Sequence, residues 1–141
     1  MNNDMISLAE RCEAATGGDR ELFKDVWREV FPRPARTWVT DNASEWTPEY
    51  TDWQELQDRF YELLDAEAWL DAAMTLVPDG WVWSMNTFAE PNRSASAYLM
   101  NASDEIIRTI KQYIATPALA LCAASLRARA LSTVSRGEVI E

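Results

Sequence analysis

The sequence predicts a small α+β domain: an antiparallel β-sheet of two to three strands packed with helices. Three observations carry this. Apolar residues recur at the helical period in segments near both ends of the chain, each bounded by caps or breakers. Between them, Trp81–Phe88 is dense in aromatic and β-branched residues and follows a Pro-Asp-Gly turn. Late in the chain, Thr116-Pro117 places an N-cap before a proline at the first helical position. A length of 141 residues suits one domain, and a hydrophobic fraction of 48% suits a packed core rather than disorder.

The first helix is expected over residues 4–15, opened by Asp4 and closed by Thr16-Gly17-Gly18. Asp19 then caps a second helix, with Leu22, Phe23, Val26, Trp27 and Val30 on one face; Pro32 and Pro34 stop it. Residues 32–50 form a long connection holding Trp38 and Trp46, and Trp38-Val39-Thr40 suits a short strand. Thr51 or Asp52 opens a long helix. Its apolar stripe is Trp53, Leu56, Phe60, Leu63 and Leu64; Glu55, Asp58, Glu62 and Asp65 lie on the opposite face. Leu70, Met74 and Val77 fall off that stripe, so a bend near Asp65 and a new helix over about 66–76 are expected.

Trp81–Phe88 is the first strand, Glu90-Pro91-Asn92-Arg93 a turn, and Ser94–Met100 the hairpin partner. Residues 103–114 suit helix or strand. A third strand is favoured, because a two-stranded hairpin is marginal alone and Ile106, Ile110 and Ile114 share one face of an extended chain. The last helix contains Leu119, Leu121, Cys122, Leu126 and Ala130. Arg127 and Arg129 complement its dipole near the end, and a frayed tail follows over 132–141. The organisation is thus a single domain over 1–141, with a helical half over 4–76 and a ββ(β)α unit over 81–131.

Several strings resemble a family of small phage and prophage proteins known as the phage ABA (αβα) sandwich domain. They are LDAAMTLVPDGW over 70–81, ATPALALCAASLRARA over 115–130, and LAERCEAATG with DREL over 8–17 and 19–22. The resemblance covers both ends and about half of the chain. It implies an αβα-sandwich-like fold and a phage or prophage origin. The family is functionally uncharacterised, so no catalytic residue carries over.

The chemistry available is narrow. The chain has no His, which removes Ser-His and Cys-His nucleophile systems and the commonest general base near neutral pH. Cys12 and Cys122 show no metal-ligand spacing, and no Gly-rich phosphate loop or calcium loop occurs. No catalytic residue, metal or cofactor is therefore expected. The opening residues lack a signal-peptide pattern and no apolar run is long enough to span a bilayer, so a cytoplasmic protein of the host bacterial cell is expected.

Charge is segregated. From Asp41 to Asp79 there are eleven acids against one base, Arg59, which accounts for the entire net charge of −10. Such a segment repels nucleic acid and anionic lipid and attracts a basic protein surface. Asp52, Glu55, Asp58, Glu62 and Asp65 are the candidate partner-binding residues, spaced about 4.5–6 Å along the helix, comparable to phosphates. The plainer reading is a solvated helix face. The expected partner is a host or phage protein with a basic surface, such as a defence or nucleic-acid-handling factor, with no direct nucleic-acid or membrane contact and a homo-oligomer left open. The alternative is a module that stacks a nucleotide-like molecule on Trp38, Trp46, Trp81 and Trp83. Trp81 and Trp83 share one side of their strand, although core packing is the ordinary use of such residues.

Overall fold

The computed structural model describes residues 2–34, 48–88, 94–109 and 113–140. The elements run α1 (Asn2–Ala14), α2 (Arg20–Val30), α3 (Pro48–Asp65), α4 (Trp69–Met74), β1 (Trp81–Phe88), β2 (Ser94–Asn101), β3 (Ile106–Arg108) and α5 (Pro117–Ile140). This is the expected α+β class, with a three-stranded antiparallel sheet in the order β1-β2-β3. The possible strand at Trp38–Thr40 and the turn at Glu90–Arg93 lie outside the described residues.

The last helix organises everything else. Ala118 through Leu126 are buried without a break, so α5 is apolar all round its first turns rather than along one stripe. It packs against α1, α2, α4 and all three strands. Thr116 opens it as expected: its hydroxyl accepts a hydrogen bond from the Leu119 N–H at 3.1 Å. The layers are therefore sheet, α5, then the outer helices, with a helix rather than the sheet in the middle.

The helix runs from Pro117 to Ile140, and no proline follows Pro117 to stop it. Arg127 and Arg129 consequently sit mid-helix, and their partners are not the helix terminus. Arg127 makes a bidentate ion pair with the buried Glu13 of α1, at 2.7 and 3.0 Å. Arg129 donates to the Leu76 carbonyl at 2.9 Å and lies over the Phe31 ring. Burial lowers its pKa and the nearby Asp79 carboxylate opposes that shift.

The helical half departs from expectation at its helix starts, since α1 begins at Asn2 with Asp4 inside its first turn and α3 begins at Pro48 rather than at Thr51 or Asp52; two further corrections concern burial. Asp19 caps α2, accepting from the Glu21 and Leu22 N–H groups, and its five predicted apolar residues are all buried. The chain reverses after α3 at Glu67, which takes φ +58°. The Ala68 N–H bonds back to the Leu63 carbonyl and the Glu67 N–H to that of Leu64, a Schellman closure with glutamate where glycine is usual. The first correction is α4, whose buried residues are Ala72 and Ala73, followed by Leu76, while Leu70 and Met74 are exposed. Small side chains face α5 because the two helices meet closely. The second is Leu56, which leaves the predicted stripe and is 51% exposed.

Gly18 owes its place to packing. A Cβ there would come within 2.7 Å of the Trp69 indole, which also stacks on Phe23 with ring centroids 5.1 Å apart. Trp27 contacts Phe31, Trp53 and Phe60, and the Trp53 indole N–H donates to the Phe31 carbonyl at 2.8 Å. Aromatic packing of this kind joins α2 to α3 and α4.

In the sheet, Ala95, Ala97 and Leu99 of β2 face α5 and are buried. The third strand is short. Ile114 rejoins the sheet through an isolated bridge to Ala95, but Ile106 is 44% exposed whereas Ile114 is buried. The isoleucines at 106 and 114 therefore do not share one environment, because the strand ends at Arg108 and its alternation ends with it. Ile110 lies outside the described residues.

Two predictions follow from the core. Arg127→Met leaves the Glu13 carboxylate buried without its guanidinium, and should lower the unfolding free energy in urea by about 3 kcal/mol or more. Combining it with Glu13→Gln should recover much of that loss; wild-type stability in the single variant would show the pair to be energetically idle. Cys122 offers a pH test. Its thiol is buried and hydrogen-bonded to Cys12, and burial first, then that bond, hold its pKa well above the ordinary value. Below about pH 8.5 both folded and unfolded chains keep the proton. Above it only the unfolded chain releases one, so stability should fall with rising pH. Cys122→Ala should flatten that decline in a series of thermal melts.

Candidate functional site

Helix α3 supplies a charged surface because only one of its sides is used for packing. Phe60 and Leu64 are buried and Trp53, Gln57, Tyr61 and Leu63 half-buried. That side rests on α2 and α4, and α3 touches no strand. At 100° per residue the remaining arc carries the acids. Asp52, Glu55, Asp58, Glu62 and Asp65 are all exposed, as the sequence predicts. Arg59 is exposed among them.

The five are not equivalent. Asp65 forms an ion pair with Arg20 at the start of α2, which satisfies part of its charge within the fold. The free centre of the face is Glu55, Asp58 and Glu62. Exposed Leu56 sits at the margin of the same arc, beside Asp52. Helical periodicity alone places it on the core stripe. The signal that marks it is its angular position at the edge of the apolar arc, where burial depends on how far the neighbouring helices extend. An apolar side chain set beside carboxylates gives such a face a contact that charge alone lacks.

The predicted tryptophan platform is not assembled by the described residues. Trp81 and Trp83 do share one side of β1, the side facing α5. Trp81 is half-buried against the core, and Trp83 is 36% exposed at the sheet margin. Trp38 and Trp46 lie outside the described residues. Trp27, Trp53 and Trp69 are committed to packing between helices.

The cavities are shallow. One of about 350 Å³ lies between the starts of α4 and α5, lined by Glu67, Trp69, Asp71 and Pro117 among others. Another of about 520 Å³ lies along the α1–α2 loop from Ala14 to Arg20. Among the described residues, Glu13 is the one buried carboxylate, and Arg127 neutralises it. No group of three His, Cys, Asp or Glu among those residues is arranged to hold a metal ion. No described helix is long and apolar enough to cross a membrane. Compared with protein-family models, curated proteins and solved structures, the chain has no match.

Because the centre of the acidic face is solvated, it should be dispensable for folding. The triple variant Glu55→Lys, Asp58→Lys, Glu62→Lys should keep its helical circular dichroism and lose less than about 1 kcal/mol of stability. A loss of several kcal/mol in chemical denaturation would mean that these acids are structural.

Proposed function

We propose that this chain is a non-enzymatic binding protein of phage or prophage origin. Its α3 face docks on a basic surface of a host or phage protein, occupying the place of nucleic-acid phosphates. The observation that carries the reading is the undivided exposure of Asp52, Glu55, Asp58 and Glu62 on one helix, with exposed Leu56 beside them. The segment from Asp41 to Asp79, of which α3 is part, holds the whole net charge of the chain, which favours a basic partner. A nucleic-acid-handling or defence factor offers the matching basic groove. The phage origin rests on the sequence strings over 8–22, 70–81 and 115–130.

A non-enzymatic role is supported by the chemistry on hand. General acid–base catalysis by carboxylates needs one of them held in an environment that shifts its pKa. The acids of α3 are exposed, and Glu13 is taken up by Arg127. The nucleotide-stacking reading has less support, because Trp27, Trp53 and Trp69 pack between helices and Trp81 against the core, which leaves Trp83 alone exposed among the described tryptophans.

The test is a tagged pull-down from bacterial lysate, read by mass spectrometry for proteins and small molecules. One basic protein recovered in stoichiometric amount, released by salt and lost with the Glu55, Asp58 and Glu62 reversals, is the expected result. Equal recovery by the reversed variant, or a bound metabolite with no protein, would overturn the acidic-face reading.

A further inference from the structure

The chain has two cysteines, and the fold brings them together. Cys12 lies on α1 and Cys122 on α5, near opposite ends of the sequence. Both are free thiols, 1% and 0% exposed, and their side chains are hydrogen-bonded to each other. A thiol alone in a core packs as a small apolar side chain. Two thiols in contact carry a second property, because a disulfide forms from that contact. The seam between α1 and α5 maintains it. Buried alanines stand about a turn before each cysteine, Ala9 on α1 and Ala118 on α5, and residues so spaced share a side of the helix. The residue after Cys12 is Glu13, held to Arg127 of α5 by hydrogen bonds of 2.7 and 3.0 Å. That ion pair fixes the register of the two helices beside the thiols.

We propose that Cys12 and Cys122 form a reversible dithiol–disulfide pair, whose closure locks the first helix onto the central one. The oxidant is a small disulfide, oxidised glutathione. The Cys12 thiolate attacks one of its sulfurs, the glutathione S–S bond breaks, and one glutathione thiolate leaves and takes up a proton. Cys122 acts second, since burial first and then its bond to Cys12 keep its proton in place. Its sulfur attacks that of Cys12, its proton departs, and the second glutathione is displaced. One disulfide has formed and one has broken; two protons and two electrons end on two molecules of reduced glutathione. Access comes through α1, which touches α5 and α2 and no other described element. Its release bares the pair without opening the sheet, and such local opening costs less than global unfolding. In a reducing compartment the pair stays as thiols, and a shift of the thiol pool toward disulfide closes it. Closure ties a loop of about 110 residues, which removes much freedom from the unfolded chain. The inference depends on neither the acidic face nor its partner.

The experiment equilibrates the folded full chain with oxidised and reduced glutathione at a series of ratios, blocks the remaining thiols, and reads intact mass, non-reduced peptides and thermal melting. Wild type should lose the mass of two hydrogens and yield a peptide that joins residues 12 and 122. Its melting temperature should rise by on the order of 10 °C, and dithiothreitol should reverse the rise. Cys12→Ala and Cys122→Ala should show neither the internal bond nor the rise. Wild type refolded from urea in the same buffers does not need α1 to open, and should reach the same product; it keeps the test independent of whether an alanine variant folds. Wild type that retains both thiols, whether native or refolded, would overturn the proposal. So would glutathione adducts or linked dimers in place of the internal bond, or an internal bond that leaves the melting temperature unchanged or lowers it.

Discussion

The fold depends on burying one alanine-rich helix on all sides. An ordinary surface helix spends a single stripe on the core, but α5 is enclosed from Ala118 to Leu126. Its small residues allow close approach by α1 and α4 on one side and by β2 on the other. That enclosure explains features that look unrelated along the chain. It explains why α4 buries Ala72 and Ala73 rather than Leu70 and Met74. The polar groups drawn in with α5 are mostly matched: Arg127 meets Glu13, and Arg129 meets the Leu76 carbonyl. Ser125 is the exception, with no hydrogen-bond partner for its hydroxyl among the described residues.

A second consequence is the division of the surface by charge. The core around α5 is completed by α1, α2, α4 and the sheet. Helix α3 is therefore attached from outside, through Trp53, Phe60 and Leu64, and its remaining arc is free of packing duties. Acids can accumulate there at little cost to folding, since exposed carboxylates keep their hydration. The hairpin of β1 and β2 carries no charge in either strand. One molecule thus holds an acidic helix and an uncharged pair of strands in separate places.

How much of this was legible in the sequence varied with the range of the interaction involved. Asp19 at the head of α2, Thr116-Pro117 at the head of α5 and the turn before Trp81 act within a few residues of themselves, and each lies where its local chemistry put it. Gly80 takes φ +86° in that turn, a conformation glycine adopts without strain. The acidic arc of α3 was equally readable, because helical periodicity fixes which residues share a side. The errors lay where burial depended on a distant element. Periodicity places Leu56 in the core, yet among the described residues no neighbouring helix covers it. Arg127 and Arg129 were read as partners of a helix end; Glu13 lies 114 positions away from Arg127 in sequence, and no local rule relates them.

The sequence by itself determined the class of fold, the starts of α2 at Asp19 and of α5 at Thr116, the strand at Trp81–Phe88 and the side of α3 on which the acids lie. These follow from backbone propensity, capping and periodicity, which operate over one or two turns of chain. Only the tertiary structure decided that α5 is the central layer, that Asp65 is tied to Arg20 while Glu55, Asp58 and Glu62 are not, and that all eight residues of β1 pair with β2. Those outcomes depend on which surfaces meet, and in a close-packed interior that is settled by the joint fit of all the elements.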